Sequence, residues 1–185
     1  MNTTNLNELF STEERVKTLK YIIYLEKPFT ITETAKELDL NKGFISNYFK
    51  NLQNNELLKR KENEFSVKQN SKVKGIRILF NLEKIDEEIF KKYEFVEAAG
   101  LYGSAAKGTN TKSSDTDIWI KTEPTTEEKQ SKLTADLRKN IKNVKPLLLN
   151  NEKIKKIKEE DPIFYHSLYF GSILIYGEID EIQPE

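Results

Sequence analysis

Cysteine is absent from the 185 residues, which excludes disulfides and thiolate metal sites outright. Histidine occurs once, as His166 in Asp161-Pro162-Ile163-Phe164-Tyr165-His166-Ser167. A lone imidazole on an aromatic segment reads first as a packed or surface residue, and second as a lining residue beside Tyr165 or Tyr169. No apolar run approaches the roughly 20 residues needed to cross a bilayer. The start, Met1-Asn2-Thr3-Thr4-Asn5, has no signal-peptide profile. The expected location is cytoplasmic, with no membrane partner. Net charge is missing too, since 30 Lys and Arg balance 30 Asp and Glu.

The charge is unevenly spread. From Asn41 to Phe80 there are nine Lys or Arg against three Glu, a local +6 that the rest of the chain offsets. A basic segment on an acidic body is the distribution expected of a protein that contacts nucleic acid. The hydrophobic content of 37% supports modest cores, and the length fits two small domains better than one large one. We expect an N-terminal domain over residues 1–80, a helical connector over 81–94 and a second domain over 95–185. No Pro-, Gly- or Ser-rich linker separates them, so packed domains are expected.

In the first domain, Ser11-Thr12-Glu13-Glu14 has a capping-box pattern. Val16, Leu19, Ile22, Ile23 and Leu25 then recur at helical spacing up to Pro28. Thr30-Ile31-Thr32-Glu33 opens a second helix with Ala35 and Leu38 inward. A third, from Lys42 to about Asn54, carries Phe44, Ile45, Tyr48, Phe49 and Leu52 on one face. Leu57–Lys61 and Glu64–Lys68 read as two strands around a polar turn.

Three helices followed by a basic hairpin resemble a winged helix-turn-helix domain. That resemblance implies DNA binding by the polar face of the third helix and by the wing. The residues so placed are Lys42, Ser46, Asn47 and Lys50 on the helix, with Lys59, Arg60, Lys61 and Lys68 on the hairpin. By analogy a homodimer is the expected binding form. The alternative is a docking or dimerisation module whose Lys-rich face is merely solvated.

The second half alternates strands with helices. Strands are expected over Phe95–Tyr102, Asp115–Lys121, Val144–Leu149 and Ile173–Tyr176. Helices are expected at Ser104–Lys107, from Glu123 through Ile141, and over Asn151–Lys158, with Phe164–Phe170 helical or irregular. An α/β or α+β layer with function at the strand ends follows. Its most telling stretch is Gly103-Ser104, a ten-residue gap, then Asp115-x-Asp117 leading into Ile118-Trp119-Ile120. Alternation along a strand points Asp115 and Asp117 the same way. Two carboxylates on one face repel unless a cation lies between them, and Mg²⁺ favours such oxygens together with substrate phosphates. The Gly103-Ser104 turn offers N–H groups and a hydroxyl to phosphate oxygens.

This ordered set, with Ala105, Gly108 and Ser114, resembles the nucleotidyltransferase superfamily related to DNA polymerase beta, and in particular the minimal nucleotidyltransferases of archaea and bacteria. The resemblance runs from about Phe95 to Gly177. It implies a mixed sheet with flanking helices. Asp115 and Asp117 become the catalytic, Mg²⁺- or Mn²⁺-binding pair; Gly103, Ser104, Lys107 and Ser114 bind the nucleotide, ATP in particular. The implied reaction transfers AMP from the triphosphate to a protein or small acceptor. Minimal nucleotidyltransferases are often antitoxins, which implies a toxin-like protein partner. The resemblance also implies a third carboxylate on a later strand, and Val144–Leu149 contains none; Lys145 or Leu147 takes that place. An alternative therefore stands beside the enzyme: a winged-helix transcriptional regulator whose degenerate transferase domain senses nucleotide or docks a partner.

Overall fold

The computed structural model describes residues 5–178. Residues 1–4 and 179–185, the ends of the two expected domains, lie outside the described residues. The chain forms two compact units, Met1–Arg77 and Ile78–Glu185.

The first unit holds four helices, α1 (Leu6–Phe10), α2 (Glu13–Ile22), α3 (Ile31–Leu38) and α4 (Lys42–Asn54), and a hairpin of β1 (Leu58–Lys61) and β2 (Glu64–Val67). Capping decides where the helices start. Thr30 accepts from the Glu33 N–H while the Glu33 carboxylate accepts from the Thr30 N–H, a complete capping box. Asn41 caps α4 through the N–H groups of Gly43 and Phe44. At α2 the expected box moves by one residue: Thr12, not Ser11, accepts from the Arg15 N–H. Leu19, Ile22, Ile45, Phe49 and Leu52 are buried along the facing stripes. Phe49 packs edge-on against Phe29 and Phe65, which ties the hairpin to α4. The short α1, which has no periodic signal in the sequence, is held by the Tyr48 hydroxyl donating to the Leu9 carbonyl.

The second unit begins within α5 (Ser71–Leu82) and continues through α6 (Glu88–Lys91) to β3 (Val96–Tyr102). Then come α7 (Gly103–Ala106), β4 (Thr116–Thr122), α8 (Glu127–Asn140), β5 (Val144–Leu149), α9 (Asn151–Glu160), α10 (Pro162–Gly171) and β6 (Ile173–Tyr176). The sheet order is β5-β4-β3-β6. β3 pairs antiparallel with both β4 and β6, whereas β4 and β5 run parallel, as a strand–helix–strand crossover through α8 allows.

Alternation divides this sheet into two apolar faces. Ala99, Leu101, Ile118 and Ile120 pack with Leu133 and Leu137 of α8. Ala98, Trp119 and Leu149 pack on the other side with Ile154 of α9 and Tyr165 and Leu168 of α10. Trp119 is fully buried, and its indole fits because Gly100 beside it has no side chain. A Cβ there would stand 2.5 Å from two indole carbons. Among the described residues no helix is long and apolar enough to cross a membrane.

Candidate nucleotide site

β3 ends at Tyr102, and the chain turns immediately. Gly103 has φ 68°, the left-handed region that glycine enters without the Cβ clash other residues meet. The turn runs into the single turn of α7, where the Ser104 carbonyl accepts from the Thr109 N–H at 3.0 Å. A Cβ on Gly103 would lie 2.6 Å from Oδ2 of Asp117. The first two sequence-predicted elements of the site, the Gly-Ser turn and the second aspartate, therefore touch.

Strand register assembles the rest. Tyr102 of β3 is paired with Asp117 of β4, and Asp117 is paired with Lys145 of β5. Paired residues share a face, so Tyr102, Asp117 and Lys145 form a row across three strands. Trp119, two residues beyond Asp117, fixes which face this is: the one covered by α9 and α10. Phe164 of α10 meets the Tyr102 ring edge-on at 6.3 Å between centroids. Asp115, one residue before β4, is joined to the row by an ion pair, with Lys145 Nζ 2.6 Å from its Oδ2. Sequence reasoning left Lys145 and Leu147 as equal candidates for the place beside the aspartates. The register decides for Lys145, and Leu147 pairs with Trp119.

The segment between turn and aspartates is anchored from below. The buried Asn81 amide donates to the Ala105 carbonyl and to Oδ1 of Asn110, each at 2.9 Å. Asn110 returns a bond to Oδ1 of Asn81 at 3.1 Å. Beyond it, the Thr111 N–H donates to the Ser114 hydroxyl oxygen at 2.9 Å, closing a tight turn just before Asp115. Ser114 thus shapes the loop with its side chain. Lys107 is exposed at the C-terminal end of α7. His166 is exposed on α10, stacked on Phe170. Glu152 and Glu178 are exposed, Glu152 in the first turn of α9.

The electrostatics reflect crowding. Burial, and then the neighbouring Asp115 charge, hold the Asp117 carboxyl above the ordinary aspartate range, while Lys145 pulls it the other way. Burial and the Asp117 charge push the Tyr102 hydroxyl up. The hydrogen bond to Asp115 raises the Lys145 ammonium. Two crowded carboxylates suit one hard divalent cation, with its other ligands drawn from water and phosphate. They do not suit two. Among the described residues no cluster of three or more His, Cys, Asp or Glu is gathered anywhere.

On the first unit, Lys42, Ser46, Asn47 and Lys50 are exposed along α4, and Lys59, Arg60 and Lys61 along β1. Two of the basic hairpin residues are locally engaged. Arg60 donates from Nε to the Glu62 carbonyl and lies over the Phe65 ring, and Lys68 pairs with Glu56 at 3.4 Å.

Tyr102 and Phe164 were not among the sequence-predicted site residues, and Lys145 entered only as one of two occupants of the missing carboxylate's place. The two strand residues could be found by carrying the alternation of Asp117 across the register. Phe164 carries no comparable local signal.

Comparison with known proteins bears on this arrangement. No curated protein matches the chain. Among solved structures, a candidate nucleotidyltransferase from Sulfolobus solfataricus is similar at 20% identity, covering 60% of this chain and 91% of that one, with a TM-score of 0.39. Residues 83–181 match the family model described as polymerase beta, nucleotidyltransferase, and this is just over half of the sequence. That span contains the glycine turn, the aspartate pair and all four strands of the sheet, and the chain belongs to the polymerase beta nucleotidyltransferase family.

Proposed function

We propose that this protein binds ATP at the Gly103–Asp117 site, transfers AMP to a protein or small acceptor, and is held on DNA by its N-terminal unit. The observation that carries the first part is the contact between the Gly103 turn and Oδ2 of Asp117. It brings phosphate-binding N–H groups against a carboxylate pair that is short of positive charge.

Gly103 and Ser104 hold the outer phosphates through backbone N–H groups and the serine hydroxyl. Asp115 and Asp117 would hold one Mg²⁺, which supplies charge neutralisation of the phosphates when bound. The acceptor oxygen forms a bond to the α-phosphorus as the bond to the α–β bridging oxygen breaks. Pyrophosphate leaves with that electron pair, and the acceptor proton is lost to water. Tyr102 and Phe164 supply an aromatic wall next to the pair.

The N-terminal unit reads as a winged helix-turn-helix. Its element order supports this, as does the exposure of Lys42, Ser46, Asn47 and Lys50 on one helix and Lys59 and Lys61 on the hairpin. Binding as a dimer, and an antitoxin role toward a partner that is itself the acceptor, belong to the same reading.

A second reading has its own support in the Lys145–Asp115 ion pair. Here the transferase domain of a DNA-binding regulator senses nucleotide without transferring it. Incubation with α-labelled ATP, Mg²⁺ and the product of the neighbouring gene separates the two. Transfer of label that falls to background in Asp115→Ala supports the enzyme. Equal label in wild type and Asp115→Ala overturns it, and nucleotide binding without any transfer favours the sensor.

A further inference from the structure

The row Tyr102–Asp117–Lys145 places an ammonium where a third carboxylate would let the set hold a second cation. Asp115 and Asp117 contribute two negative charges, and Lys145 returns one. Its side chain is 66% exposed and that of Asp115 44%, so the 2.6 Å pair adds little to stability. What it changes is the charge of the site. A lysine ammonium is a compact point charge on a flexible four-carbon stem, able to leave one oxygen for another a few ångströms away. The β4–β5 register fixes the root of that stem beside Asp117, within reach of both carboxylates and of anything bound to them.

We propose that Lys145 is a resident cation that replaces a second divalent ion. It pairs with Asp115 and moves to the phosphates when a triphosphate enters with one metal ion. This rests on the reading of the site as one for a nucleoside triphosphate. Two consequences follow that point in opposite directions. Without nucleotide, the ammonium competes with a divalent ion for Asp115, so metal alone binds weakly. Without metal, the same ammonium attracts triphosphate, so nucleotide binding persists in part when divalent ions are chelated.

The test measures Mn²⁺ binding by titration calorimetry and by electron paramagnetic resonance of free Mn²⁺, at fixed ionic strength, on wild type, Lys145→Met, Lys145→Arg and Lys145→Glu. Thermal unfolding checks that each variant folds. Wild type is expected to bind one Mn²⁺ per chain. Lys145→Met should bind one about tenfold more tightly, which corresponds to about 1.4 kcal/mol. Lys145→Arg should stay near wild type, and Lys145→Glu should gain a second ion. A parallel titration with ATP in excess chelator should show several-fold weaker binding to Lys145→Met than to wild type. Two Mn²⁺ in wild type, or equal Mn²⁺ affinity in wild type and Lys145→Met, overturns the proposal. If wild type binds no ATP under any condition, the nucleotide reading fails and the move to phosphate fails with it. The Mn²⁺ arm still decides whether Lys145 competes with metal.

Discussion

Gly103 and Asp117 approach so closely that a methyl group on the first would stand 2.6 Å from Oδ2 of the second. The turn at φ 68° and the carboxylate are thus one mechanical unit. Gly103→Ala should cost about 1–2 kcal/mol from the left-handed conformation alone. It should also push the Asp117 carboxylate out of line. We expect a modest fall in unfolding temperature and a loss of ATP affinity of at least about tenfold, read by calorimetry. An unchanged ATP affinity would show that the turn does not form part of the nucleotide site.

Asp117 predicts a pH-dependent stability difference. Its folded-state carboxyl titrates above the ordinary aspartate value of 3.8, through burial and then Asp115. The folded chain therefore holds this proton more tightly than the unfolded chain. The destabilisation is fully present above the folded-state value and vanishes below the unfolded one. Asp117→Asn should raise the unfolding temperature at neutral pH, and that gain should shrink as pH falls towards 4. Nucleotide transfer should be lost in the same variant. A gain that grows on acidification would contradict the assignment.

The buried amide pair Asn81–Asn110 gives a third prediction. Asn110→Ala removes one partner of a reciprocal pair and leaves amide groups of Asn81 without it in a buried setting. The expected cost is about 1–3 kcal/mol by chemical denaturation. Because Asn110 lies in the segment that joins Ser104 to Asp115, ATP affinity should fall as well, although no contact with nucleotide is removed. Retained ATP affinity at reduced stability would restrict the pair to a packing role.

If the N-terminal unit binds DNA, the log–log salt slope of its affinity should fall by about 0.9 for each phosphate contact removed. Neutralising Lys42, Lys50, Lys59 and Lys61 singly should lower the slope by up to that amount each. Arg60, which lies over Phe65, and Lys68, paired with Glu56, should contribute less. Salt-insensitive binding, or none, removes the DNA reading and leaves the docking alternative.

Much of this architecture is written in local chemistry. The Asn41 cap and the stripe from Ile45 to Leu52 define α4, and its observed span, Lys42–Asn54, follows them. The strand Val144–Leu149 stands out as a short apolar run between a charged helix and Asn150, which caps the next. Other features depend on partners distant in sequence. Thr12 rather than Ser11 caps α2, a choice between adjacent hydroxyls that propensity does not make. α1 is only five residues long and is held by Tyr48 from α4. The site divides in the same way. Gly103, Ser104, Asp115 and Asp117 are singled out by spacing alone, and the structure sets the Gly103 turn against Asp117. Lys145 joined Asp115 only once parallel pairing of β4 and β5 set the register, and no property of residue 145 by itself reveals that.

The indole seated against Gly100 makes the molecule its own optical instrument. Trp119 is the chain's single tryptophan, sealed from water, and its Nε1 has no hydrogen-bond partner among the described residues. Its emission should therefore lie far to the blue and arise from one environment only. Two residues away on the same sheet face stands Asp117, so a cation or phosphate arriving there alters the electric field across that ring. If metal or nucleotide binds at Asp117 as proposed, unlabelled protein in a fluorimeter should report it.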